Sequence, residues 1–115
     1  MRATVSQLLA VLRIGHDTSM RGEGVSLQNA LARCDYQAIR SAISAMDLVP
    51  LLKASPELLT QWIMYCEDKR TSAGFWFDEN SFTVGSLAAP TTTVQYKSLE
   101  ETVAAFVIAE LDFWT

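Results

Sequence analysis

Residues 56–77 read PELLTQWIMYCEDKRTSAGFWF, and the change of character along this stretch decides the fold. Its first half sets Leu59, Trp62, Ile63 and Cys66 at the three- and four-residue steps of one helical face. Ser55-Pro56-Glu57 starts that helix with a cap, a proline at the first helical position and an acid at the positive end of the dipole. A charged knot, Glu67-Asp68-Lys69-Arg70, closes it, and Thr71-Ser72-Ala73-Gly74 releases the chain. Phe75-Trp76-Phe77 is too short and too β-prone for another helix and sends large rings to both faces of a strand.

Upstream the pattern is helical throughout. Thr4 and Gln7 have the form of a capping box, and Val5, Leu8, Leu9 and Leu12 share one face, which predicts a helix over about residues 5–14 stopped by Gly15. GHDTSMRGEG, residues 15–24, has the chemistry of a loop and holds His16, the single histidine. Ser26 caps a helix bearing Leu27, Leu31 and Cys34. Asp35 caps a segment with Tyr36, Ile39, Ile43 and Met46, and the break between the two is not fixed by the pattern. Asp47 begins a further short helix with Pro50 in its first turn.

Downstream, Asp78-Glu79-Asn80 supplies a turn, after which Phe82 and Val84 alternate with Ser81, Thr83 and Gly85. Thr91 to Lys97, with Val94 and Tyr96 on one face, is a third strand. Ser98-Leu99-Glu100-Glu101 is a second capping box, opening a helix over about residues 99–112 with Leu99, Val103, Phe106, Val107 and Leu111 inward. The expected fold is α+β: an N-terminal helical bundle of four to five short helices, a three-stranded antiparallel sheet and a closing C-terminal helix, in a single domain over residues 1–115.

Half of the 115 residues are hydrophobic and 19% are charged, a composition that can fill a core and is not that of a disordered tail. No run reaches the roughly 18–20 apolar residues that span a bilayer, and Ser6, Gln7 and Arg13 interrupt the N-terminal apolar stretch, so the expected setting is cytoplasmic. Cys34 and Cys66 are 32 positions apart, without zinc-site spacing, and read as buried free thiols; no metal or cofactor is expected.

The net charge of −4 is unevenly distributed. Residues 1–70 are nearly balanced, whereas residues 71–115 carry six acids against Lys97 alone. An acidic surface disfavours nucleic acid and anionic membrane, which need clustered Lys and Arg, and favours a basic protein. Two helix C-termini defy the dipole rule, with Glu67 and Asp68 at one and Glu110 and Asp112 at the other. Such breaches are compensated by tertiary contact or by function. The charged knot reads as a solvated helix end, as an internal lock between helix and strand, or as part of a partner site. Phe113 and Trp114 fold onto the core or, exposed beside Glu110 and Asp112, anchor a partner.

These features lead to a non-catalytic intracellular protein-binding module that turns an acidic face to a basic partner. Its expected contact residues are Asp78, Glu79, Glu110, Asp112, Trp114, Lys69 and Arg70. Small acidic inhibitors such as bacterial immunity proteins have this size and charge, an analogy of composition and not of motif. A second reading is a small-molecule binder or small enzyme using His16, Asp17 and Arg21 around residues 15–24; adjacency of His16 and Asp17 is poor geometry for a triad, and Gly22-Glu23-Gly24 lacks the remainder of a phosphate-binding loop. A third is a structural homo-oligomeric subunit, a homodimer for example, that pairs through its sheet edge or an apolar face.

Overall fold

The computed structural model describes residues 2–18, 26–69, 73–89 and 91–115. Thr4 caps helix α1 (Val5–Leu12): its hydroxyl accepts from the Gln7 N–H at 3.2 Å while its own N–H donates to the Gln7 side chain at 2.8 Å. Gly15 does not stop the chain there. After a one-residue break the helix resumes as α2 (Ile14–Asp17), and Gly15 is buried inside it because a Cβ at that position would come within 2.9 Å of the Trp62 ring. The glycine is there for close approach. Trp62 fills the space and donates its indole N–H to the Leu12 carbonyl at 2.8 Å.

Helix α3 (Leu27–Arg33) starts at Ser26, whose hydroxyl accepts from the Asn29 N–H. Asp35 takes the left-handed conformation, φ 56°, and thereby separates α3 from α4 (Tyr36–Ile39), which runs on into a 3₁₀ turn at Arg40–Ala42. Helix α5 (Ala45–Ala54) begins ahead of its expected start: Ser44 is the cap, and Asp47 lies in the first turn and accepts from the Ser44 N–H at 2.9 Å. Pro50 therefore falls in the helix interior. It removes one backbone bond on the exposed side, where Met46 and Pro50 both meet solvent.

Helix α6 (Pro56–Asp68) carries the expected stripe, with Leu59 and Trp62 buried and Ile63 and Cys66 half-buried. It leads to an antiparallel sheet in the order β1 (Phe75–Asp78), β2 (Thr83–Ser86), β3 (Thr93–Gln95), registered by Phe77 against Val84 and Val84 against Val94. The third strand is shorter than the predicted 91–97 and exposed throughout, Val94 at 52%. Helix α7 (Leu99–Trp114), capped by Ser98, lies beneath β1 and β2 and against α3, α5 and α6. Val103, Phe106, Val107 and Leu111 are fully buried on it.

The rings of Trp62, Tyr65, Phe77 and Phe106 form the centre, Phe77 lying 4.9 Å from Phe106 between centroids and Trp62 5.1 Å from Tyr65. Helices and sheet thus share one aromatic junction. Trp62→Ala is expected to destabilise the protein by about 3–5 kcal/mol in urea unfolding. A loss below about 1 kcal/mol would contradict this packing.

Candidate functional site

The two acids near the C-terminal end of α7 are both engaged by other parts of the chain. Glu110 is completely buried, and its carboxylate is saturated. The Lys69 ammonium lies 2.8 Å from both of its oxygens, the Phe75 N–H donates to Oε1 at 2.8 Å, and the Tyr65 hydroxyl donates to Oε2 at 2.8 Å. Lys69 also donates to the Phe75 carbonyl at 2.9 Å and is only 7% exposed at its side chain. Burial and the Glu110 carboxylate push the Tyr65 phenol well above its ordinary range, so it remains a donor. Gly74, at φ +90°, passes so close that a Cβ there would collide with Glu110 and Lys69.

Asp112 is likewise engaged. Arg40 grips it through two bonds, Nε to Oδ1 at 2.7 Å and a terminal nitrogen to Oδ2 at 3.0 Å, and the Tyr36 hydroxyl donates to Oδ1 at 2.8 Å. Desolvation raises the Tyr36 phenol, and its bond to Asp112 raises it further. The expectation that Glu110 and Lys69 face a partner is therefore corrected, because both close the core; Asp112 ties α7 to the α4 segment while its side chain stays 41% exposed. Trp114 is half-buried against the core, while Phe113 is 47% exposed and stacks edge-on with Phe75 at 6.4 Å.

Arg70 lies outside the described residues, as does Arg21. His16 and Asp17, read as loop residues, belong to α2. Asp17 lines a small cleft of about 210 Å³ with Arg13 and Arg33, where the acid has cationic neighbours. No cluster of His, Cys, Asp and Glu suited to a metal ion occurs among the described residues. No helix among them is long and apolar enough to cross a membrane.

The other two expected contact residues do come together with something new. Asp78 and Glu79 share an open cleft of about 340 Å³ with Asn80, Trp76 and Phe77 from the β1 end and Ile63, Cys66 and Glu67 from α6. Among the described residues no Lys or Arg lines it. Among the described residues Glu67, Asp68 and Glu79 form no ion pair, in contrast to Glu110 and Asp112. Burial pushes the Cys66 thiol up, so it remains neutral and serves as wall rather than nucleophile. The sequence marks Glu67 as part of the charged knot and as an acid at a helix C-terminus; its alignment with the hairpin turn depends on the angle between α6 and β1, which no local pattern encodes.

The chain has no match among protein-family models, curated proteins or solved structures at a significant level.

Two outcomes follow from the site geometry. Lys69→Met alone is expected to cost about 3–5 kcal/mol, because it leaves Glu110 buried without its cation, and the double change Lys69→Met with Glu110→Leu is expected to recover most of that loss in a denaturant series. Full additivity of the two losses would contradict the pairing. Asp78 accepts from the Asn80 N–H at 2.8 Å, which holds its carboxyl below the usual range. A depressed value means that its stabilising contribution is present above the unfolded value of about 3.9 and is lost as pH falls through the lower folded one. NMR titration is expected to place its midpoint below about 3.9; a midpoint at or above that value would contradict the turn geometry.

Proposed function

We propose that this chain is a non-catalytic protein-binding module that captures a basic partner protein at the cleft between the end of α6 and the β1–β2 turn. The observation that carries this reading is the contrast between two helix ends. Both α6 and α7 place acids where the dipole is negative, at a cost of some tenths of a kcal/mol each. At α7 the cost is offset internally by Lys69, Arg40 and two tyrosines. At α6, Glu67 and Asp68 are exposed and have no such compensation among the described residues, and Glu67 faces Asp78 and Glu79 across the same cleft.

Opposite charge on a partner would be drawn in over the Debye length of about 8–10 Å and then docked on the apolar wall of Ile63 and Phe77. An inhibitor of a basic enzyme, of the immunity type, is one role that fits this mode, in a cytoplasmic setting. A partner of this kind needs neither cofactor nor nucleic acid.

The triple substitution Glu67→Lys, Asp68→Lys and Glu79→Lys separates function from folding. It is expected to leave the protein folded, and to raise its stability by roughly 0.3–1 kcal/mol for each charge corrected at the α6 end. It is also expected to abolish salt-sensitive capture of one stoichiometric basic protein from the native extract. Equal capture by the triple variant and the parent would overturn the reading.

A further inference from the structure

We propose that the α6–β1 cleft receives one arginine of the partner, its side chain lying along the cleft and its backbone carbonyl accepting from the Phe77 N–H. The proposal rests on the reading above and specifies what the partner inserts. At about 340 Å³ the cleft stands at the low end of the ~300–1,000 Å³ used for small ligands, which suits one long side chain better than a folded surface. Its wall is apolar at Ile63, Cys66 and Phe77, and its rim carries Glu67, Asp78 and Glu79. A side chain with an aliphatic stem and a cationic head matches that distribution.

An independent feature of the backbone points to a peptide. The Leu87 N–H donates to the Gly74 carbonyl at 2.9 Å, so by the alternation of an antiparallel ladder Trp76 and Asp78 bond toward β2 while Phe75 and Phe77 turn outward. The outward groups of Phe75 are taken by Glu110 and Lys69. Those of Phe77 are not closed in this way. Its carbonyl has only a thiol contact from Cys66 at 3.9 Å, and its N–H has no partner among the described residues, although Phe77 is only 9% exposed. An outward-facing donor on an edge strand is free to take an acceptor from an added peptide. A partner carbonyl provides one.

Arginine fits better than lysine. Its planar fork can bond more than one of the three carboxylates and stack on an indole, whereas an ammonium is more strongly hydrated. Trp76 lines the cleft, stands outside the core cluster and lays its ring against Gly85 of β2.

The test is an amide NMR titration of the full chain with N-acetyl-arginine N-methylamide, in parallel with the lysine and citrulline analogues. The expected result is a saturable shift of the Phe77 amide and the Trp76 indole N–H, with citrulline binding at least about tenfold more weakly, and a comparable weakening of the arginine probe in Glu79→Gln. Equal affinity for lysine or citrulline, or shifts that bypass Phe77 and Trp76, would overturn it. If the triple charge reversal abolishes capture while the probe leaves Phe77 unmoved, the acidic docking surface stands and the arginine anchor falls. Saturable probe binding combined with unchanged capture would sever the cleft from the partner and overturn the proposal as well.

Discussion

The buried ion pair between Lys69 and Glu110 is the constraint on which the architecture depends. A carboxylate and an ammonium taken out of water are each costly, by several kcal/mol after relaxation, and survive only where every lone pair and proton is answered. Here they are answered. Lys69 follows the last turn of α6, Phe75 opens β1 and Glu110 sits near the end of α7, so two successive elements are joined to one 35–41 positions further on through a single carboxylate. The pair does a second thing. By taking the outward N–H and C=O of Phe75 it seals the upper part of the β1 edge, where an unpaired strand would invite association with another chain. The opposite edge, β3, is guarded more simply, by its three-residue length and by Lys97 beside it.

This arrangement also decides where the free negative charge lies. The C-terminal half is acidic in sequence, yet two of its carboxylates are engaged within the chain: Glu110 is consumed by the core, and the exposed Asp112 is held by Arg40 and Tyr36. Of the rest, Asp78 and Glu79 stand at the hairpin turn beside Glu67 of α6, with an apolar wall between, while Glu100 and Glu101 lie in the first turn of α7. Lys69 contributes indirectly. Withdrawn into the core, it does not neutralise Glu67 and Asp68, its neighbours in the chain. The same interaction that locks helix to strand thereby leaves the cleft beside it acidic.

Much of the fold was legible because local chemistry announced it. The caps at Thr4, Ser26 and Ser98, the Ser55-Pro56 start and the aromatic run at Phe75 each act within four residues, and each is found where the pattern placed it. The misreadings have separate causes, one of them a distant residue and the others local. Gly15 looks like a helix stop and is a seat for Trp62, 47 positions on. Pro50 looks like a first-turn proline and lies in the middle of α5 because Ser44 caps ahead of Asp47. Phe82 holds a left-handed φ of 57° at the hairpin, a position that sequence assigns to Gly or Asn. Of the site, Asp78 and Glu79 were legible as an acidic turn, while the burial of Glu110 was not, since an acid at a helix end reads as exposed until its lysine is found across the structure.

The most direct measurement is hydrogen exchange at two amides on the same face of β1. With Glu110 ionised and bonded as described, the Phe75 amide exchanges only through global unfolding although it lies on an outer strand edge, and the Phe77 amide two residues along exchanges much faster. Equal and rapid exchange at both would show that the buried carboxylate does not close the sheet, and the account built on that closure would fail.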